Sequence, residues 1–318
     1  MKPELETVSC PVCAHRKVRE RFSAPDRFDD KNGKQWKVVT CAKCDFTYLN
    51  PRPGPDFIAQ YYSNAQYQPF LSTQEKRTVL DTLYCWVRYF NVKHKRRTIE
   101  KIKFKGSLLD IGCGTGEFLK EMQEHGWETA GIEKDRDAAQ VAKKVYHLNV
   151  TTGDMLEFRH SHKRFDVITF WHVLEHLPDP KRSLNQAGEL LEKEGVILVA
   201  LPNIASFDAH FYRENWVALD APRHLHHFEP HSLKTLCEQS KMVVVSFRQM
   251  VFDVFFNCLM SEMLVLSRNP SKKVYTPFYV LRALIVAGVS LASASRLRRK
   301  DSRQGSSHLY FIKKMKSG

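Results

Sequence analysis

Four of the eight cysteines fall into two pairs of identical spacing, Cys10-Pro-Val-Cys13 and Cys41-Ala-Lys-Cys44, separated by 27 residues. Four thiolates arranged in this way can close a tetrahedral shell around one zinc ion, and a closed shell serves folding or substrate docking rather than catalysis. A redox dithiol would need only one pair, usually placed after a strand of a βαβ unit. The stretch WKVVTCAKCDFTYLNPRP around the second pair alternates apolar and polar residues like short strands, which predicts a zinc ribbon over residues 1–50.

The second concentration of chemistry is LLDIGCGTGEFLKEM, residues 108–122, where Gly112, Gly114 and Gly116 follow an apolar run and precede a helical pattern. Absent side chains let backbone N–H groups approach a ligand and let the next helix start close to a sheet. The register is G-x-G-x-G, not the G-x-G-x-x-G of dinucleotide sites, and Asp110 stands two residues before the first glycine. Glu133 in AGIEKD lies 17 positions after the last glycine, where a carboxylate can accept both hydroxyls of a ribose. Asp154 in TTGDM can accept an exocyclic amine while Met155 contacts the ring. Three carboxylates around one cleft suit a cationic, amine-bearing nucleoside better than a pyrophosphate.

Histidines supply candidate bases, since their ordinary pKa lies near neutrality. His172 and His176 occur in WHVLEH, and His224, His226 and His227 in PRHLHHF. Each admits a plain reading as a hydrogen-bonding or surface residue; as bases, His224 ranks first, His172 second and His227 third. No carboxylate with recognisable metal spacing accompanies the HLHH group, which speaks against a metal site there. Of the remaining cysteines, Cys113 lies inside the glycine loop, and Cys85, Cys237 and Cys258 read as inert thiols on apolar helical faces.

These residues need a frame, and the hydrophobic pattern predicts one. SLLDIG, ETAGIE, HLNVTTGD, FDVITFWHV, GVILVALPN, MVVVSFRQ and SHLYFIKK are short apolar runs, most of them separated by helix-length segments. Such alternation specifies an α/β fold, a parallel sheet with helices on both faces. Residues 51–104 read as a linker, aromatic-rich through Tyr67 and Phe70, followed by helix. The spacing of Val79, Leu83, Trp86, Val87 and Phe90 is helical, and the basic run KHKRRTIEKIKFK follows it.

At this point the motifs carry a resemblance. LLDIGCGTGEFL, GIEKD, GDM, FDVITFWHVLEHLPDP and GVILVALPN, in that order over about 107–249, resemble a class I S-adenosylmethionine (SAM) dependent methyltransferase. The resemblance implies a Rossmann-like seven-stranded sheet over 105–318. It also implies that Asp110 with Gly112, Cys113, Gly114 and Gly116 holds the amino acid part of SAM, Glu133 the ribose, and Asp154 with Met155 the adenine. Trp171 and His172 would face the sulfonium and the acceptor. RHLHHFEPHSLKTL is similar to the small-molecule branch that includes quinone-pathway O-methyltransferases. CPVC, CAKC and NPRP with the following YY resemble a zinc-binding module ahead of certain bacterial methyltransferases, sugar C-methyltransferases among them, though the large C-terminal domain of those sugar enzymes is not expected here.

The acceptor is less legible. The expected one is an oxygen of a small-molecule, lipid-linked or glycan-like compound; the alternatives are RNA methylation and a non-catalytic zinc- and SAM-binding scaffold. FWHVLEH stands where base-amine methyltransferases carry Asn or Asp-Pro-Pro-aromatic, and no RNP-type stacking motif is present. The formal net charge of +14 favours acidic partners without choosing among nucleic acid, anionic lipid and phosphorylated substrates. The N-terminus shows no secretory pattern, so a cytoplasmic setting is expected, with peripheral attachment at the inner membrane face left open. Two apolar segments, 251–267 and 277–295, form a helical insertion at 250–300 before the last strand. Arg282 limits the second uncharged run to 13 residues, short of a bilayer-crossing helix, so it reads as a substrate lid or, with RLRRK behind it, as an interfacial membrane contact.

Overall fold

The computed structural model describes residues 4–28, 34–62, 79–158, 164–268, 271, 276–296 and 305–315. The expectations for Tyr67, Phe70 and residues 297–300 fall outside them, as do the side chains of Val79, Leu83, Cys85, Trp86 and Val87. The N-terminal part contains β1 (Leu5–Glu6), β2 (Val18–Pro25), β3 (Gln35–Cys41), β4 (Thr47–Leu49) and β5 (Arg52–Pro53), and α1 (Val79–Glu100) follows. The alternating part then runs β6 (Ser107–Ile111), α2 (Glu117–Glu124), β7 (Glu128–Glu133), α3 (Arg136–Lys144), β8 (Val150–Thr152), β9 (Phe165–Trp171), α4 (Pro180–Leu190), β10 (Leu191–Pro202) and α5 (Phe207–Tyr212). The chain continues through β11 (His226–His227), α6 (Pro230–Gln239), β12 (Met242–Gln249), α7 (Val251–Arg268), α8 (Thr276–Arg296) and β13 (Ser307–Lys314).

Seven strands form the central sheet in the order β12-β13-β10-β9-β6-β7-β8. Strand alternation divides the core. Leu109, Ile111, Ile197 and Val199 face one side, against α4 and α6 residues such as Leu184 and Leu233. Leu108, Val196 and Leu198 face the other, with Phe118, Leu119 and Ala139 of α2 and α3. Local signals fix the helix starts: the Asp135 carboxylate accepts Ala138 N–H at 2.8 Å, and the Asp179 carboxylate accepts Arg182 N–H ahead of Pro180.

The sheet departs from the all-parallel expectation at β13, which runs antiparallel to both β10 and β12. The reason lies in the two helices before it. α7 and α8 pack together as an out-and-back excursion, so the chain re-enters where β12 left and Gln249 pairs with His308. Four strands form the second sheet, ordered β11-β4-β3-β2. Its edge strand β11 comes from the far end of the chain, with His226 opposite Tyr48 and His227 opposite Thr47. Cys10, Cys41, Phe46 and Tyr48 share one buried cluster with Phe228, Leu233 and the central sheet. The N-terminal cysteines and the α/β part are therefore packed as a single core.

A buried ion network reinforces this junction. Arg223, fully enclosed, reaches Asp26 at 2.7 Å and Asp220 at 2.7 Å, tying the end of β2 to the loop ahead of β11. Removing one partner strands the others without water, which costs about 3–5 kcal/mol. Arg223→Met should lower the denaturant midpoint accordingly; a midpoint unchanged within error would refute the network's role.

Candidate functional site

The glycine loop leaves β6 at the carboxyl ends of the parallel strands, where open α/β sheets bind ligands. Gly112 and Cys113 both donate N–H bonds to the Ile132 carbonyl, which anchors the loop to β7. Gly116 has φ +89°, and a side chain there would press on Leu148 and Ala142, so this glycine lets α2 start close to the sheet. Gly114, at φ +56°, has open space where its side chain would be. A ligand can lie against the backbone there.

Of the acids expected around this loop, Asp110 precedes it and Glu133 bonds to it. Asp110 is buried and accepts a 2.6 Å hydrogen bond from the Thr169 hydroxyl of β9. Burial raises its pKa to about 7, against the lowering by Thr169 and Lys95. Such an acid is held ready to ionise when a cation arrives. Glu133 ends β7, with one carboxylate oxygen accepting Gly114 N–H and the other Asp135 N–H, both at 2.8 Å. Burial raises its pKa as well. Asp154 follows β8 and caps Leu156 N–H at 2.9 Å, while Met155 is buried beside it. Cys113 is buried, and its thiol pKa is pushed up, so it is a neutral wall. Trp171 ends β9 edge-on to Phe118, with the Lys95 ammonium 4.5 Å from its ring centre.

The histidines separate into different environments. His172, in the left-handed region at φ +58°, directs Nε2 to Asp253 of α7 at 3.0 Å, and Nδ1 lies 3.5 Å from Glu175. Partial burial opposes its charge, but the two carboxylates prevail and raise its pKa to about 10. His224 is buried, and its Nδ1–H donates to the Ala218 carbonyl at 2.8 Å, leaving Nε2 as an acceptor. Burial and the neighbouring His176 lower its pKa to about 4, so it is neutral at pH 7. His227 is also buried and held neutral, in the edge strand against the N-terminal sheet.

The structure adds a carboxylate that spacing does not reveal. A carboxylate does accompany the histidine cluster: Glu175, His176 and His224 bring ligand atoms within 4.8 Å of one another. Glu175 comes from the short helical turn Leu174–His176, and its buried carboxylate has the His172 ion pair at 3.5 Å but no hydrogen-bond partner among the described residues. Its position 49 residues before His224 hid it from any spacing rule. Asp253 and Thr169 were missed similarly, although an acid alone in the apolar run VFDVFF was a usable signal.

The four paired cysteines of the N-terminal part also meet. Cys10 and Cys44 sulfurs stand 3.5 Å apart, as do Cys13 and Cys41, and all four lie within 4.8 Å of one another. The two turns are alike: Ala14 and Asp45 both have φ +57°, and each returns an N–H to the carbonyl of its first cysteine. Tetrahedral zinc with bonds of about 2.3 Å places sulfurs roughly 3.8 Å apart, which this group meets.

Strand order, glycine loop and strand-end acids define a Rossmann-like fold of the type that holds a nucleoside at the carboxyl edge of its sheet. Residues 86–246 match the family model described as a methyltransferase domain. The chain belongs to that family and is a class I SAM-dependent methyltransferase. It is similar to the ubiquinone biosynthesis O-methyltransferase of Haemophilus ducreyi, 27% identical over 155 residues that cover 44% of this chain and 66% of the relative. The enzyme of the same name from Coxiella burnetii strain RSA 493 is 29% identical over 119 residues, 36% of this chain and 50% of its own. The chain thus spans about half to two thirds of the length of these curated relatives. Among solved structures it resembles magnesium protoporphyrin IX methyltransferase from Synechocystis with bound SAH, at TM-score 0.49 and 9% identity, over 62% of this chain and 93% of that one. An Archaeoglobus fulgidus SAM-dependent methyltransferase is similar at TM-score 0.47 and 19% identity, over 71% and 94%.

Proposed function

We propose that the chain transfers the methyl group of SAM to a hydroxyl oxygen of a small-molecule, lipid-linked or glycan-like acceptor, working in the cytoplasm or at the inner face of a membrane. The observation that carries this reading is a neutral, buried histidine, His224, whose Nε2 is left to accept a proton, in a chain whose glycine loop leaves open backbone at Gly114. The curated O-methyltransferase relatives support the choice of oxygen. In this reading Asp110 holds the ammonium of SAM, Glu133 the ribose hydroxyls, and Asp154 with Met155 the adenine; Gly112, Cys113, Gly114 and Gly116 shape the loop beneath. The four cysteines hold a structural zinc ion that steadies the ribbon and, through β11, the histidine loop.

When bound, SAM supplies a methyl on a sulfonium, which leaves by in-line displacement without a covalent enzyme intermediate. The protein's share is placement, worth up to about 7–11 kcal/mol in favourable cases, plus removal of one proton. His224 Nε2 takes that proton, and the buried Glu175 carboxylate stabilises the imidazolium that forms. His172, charged between Asp253 and Glu175, positions α7 against the turn that holds Glu175, and His227 supports the loop from β11.

His224→Ala should lower kcat about 10²–10⁴-fold with SAM affinity unchanged. At saturating SAM, the wild-type kcat should stay flat from pH 8 to pH 6 and fall only as pH drops toward the His224 value of about 4. A His224→Ala enzyme that retains its kcat would remove this base. The closeness of Glu175, His176 and His224, whose ligand atoms lie within 4.8 Å of one another, favours a second reading, in which the three hold a divalent cation that activates the acceptor hydroxyl. Titrating Mg2+ or Mn2+ into EDTA-washed protein of unchanged zinc content separates the two, since only the second predicts metal-dependent turnover.

A further inference from the structure

Helices α7 and α8 carry an apolar surface that the fold does not cover. Thirteen of the twenty-four exposed large hydrophobic side chains among the described residues lie on these two helices. On α7, Phe255, Phe256 and Met263 recur at helical spacing, and on α8 Phe278, Leu281 and Ile285 do the same. Each stripe faces away from the core.

The opposite sides of both helices are fastened to the protein. Ala283, Val286 and Ala287 are buried against the cluster around Trp216 and Val254. Ser290 donates to Asp208 at 2.9 Å, and Arg282 pairs with the buried Glu262 at 2.5 Å. The sequence counted Arg282 against a membrane-crossing helix. Thr276–Ser293 is nonetheless long and apolar enough to cross a membrane by length and composition, and this arginine is paired with Glu262 within the hairpin. Its polar inner side is committed to protein partners, which excludes a lipid-surrounded span and leaves one face for contact.

Charge identifies the occupant. From Met263 to Lys300 the chain has no Asp or Glu and eight Lys or Arg, among them Arg282, which pairs with Glu262. Arg268, Lys272 and Lys273 bracket one end of α8, and Arg296, Arg298, Arg299 and Lys300 the other. A second copy of this chain would bring the same positive charge to the contact. An anionic bilayer takes both the apolar stripe and the basic ends.

We infer that the α7–α8 hairpin docks in the interface of an anionic membrane, apolar face down, with its basic ends among the headgroups. The contact reaches the reaction site directly. Asp253 of α7 grips His172, and Phe252 packs edge-on to His94 of α1 beside a groove of about 350 Å³ that Lys93 and Arg97 also line. The inference stands without the methyl acceptor, since it is read from binding alone.

Flotation of the full chain with phosphatidylethanolamine–phosphatidylglycerol vesicles tests it. The wild type should float with these vesicles and partition at least about tenfold less onto phosphatidylcholine vesicles, basic residues near such a surface being worth about 1 kcal/mol each. A Phe255→Glu, Phe278→Glu, Ile285→Glu variant should lose flotation while binding SAM like the wild type in calorimetry, which certifies its fold. An Arg298→Glu, Arg299→Glu variant, which leaves the apolar face intact, should lose the preference for phosphatidylglycerol. Wild type that stays at the bottom of the gradient, or a triple variant that floats like the wild type, overturns the inference. So does a wild-type dimer in sedimentation that the triple variant dissolves, since a second copy would then own the face.

Discussion

Replacing Asp110 by alanine should weaken SAM binding at least about 100-fold in calorimetry, the equivalent of about 2.7 kcal/mol. The carboxyl is buried and accepts a 2.6 Å hydrogen bond from the Thr169 hydroxyl. A ligand ammonium would add a charge-assisted bond in a site with little water to screen it, and such bonds are worth about 1.5–3 kcal/mol. The sign of the pH dependence follows from the raised pKa of about 7. Below that pH most molecules carry a neutral Asp110, and a cationic ligand must displace the proton before it is held. Affinity should therefore rise with pH, being roughly tenfold weaker at pH 6 than at pH 8. Asp110→Asn keeps the shape and should abolish that dependence. An alanine variant whose Kd lies within threefold of the wild type would sink the assignment of this pocket.

Loss of the proposed cysteine-held zinc should have the largest effect on stability. One zinc per chain is expected by elemental analysis, and Cys13→Ser should remove it and lower Tm by about 10 °C or more. Structural zinc contributes folding free energy outright, with apparent values of about 10–16 kcal/mol in isolated fingers, and a few kcal/mol shift a chain of this size by several degrees. The loss should spread. Cys10 and Cys41 belong to the same buried cluster as the central sheet, and β4 pairs with β11, so unfolding should remain one transition at a lower temperature. A metal-free protein with the wild-type Tm, or a second transition left unmoved, would contradict this coupling.

The glycine loop and its acids were legible because their chemistry is local. Asp110, Gly112 to Gly116 and Glu133 sit at strand ends whose apolar runs announce themselves, and a strand followed by a glycine turn and a helix has few ways to fold. The partners were not legible. Glu175 and Asp253 meet His172 from places three and 81 residues away. The protonation of His172 and the neutrality of His224 follow from those meetings and from burial, neither of which a residue type encodes.

What the sequence determined by itself was therefore the α/β order, the ligand-facing loop and the paired cysteine knuckles, since each rests on side-chain periodicity or fixed spacing within a few dozen residues. Only the tertiary structure decided that His226–His227 would close the N-terminal sheet, that Arg282 would be neutralised by Glu262, and that the outer face of α7 and α8 would be left bare. Those outcomes depend on which distant segments pack together, and packing is settled by the free energy of the whole core rather than by any one stretch of chain.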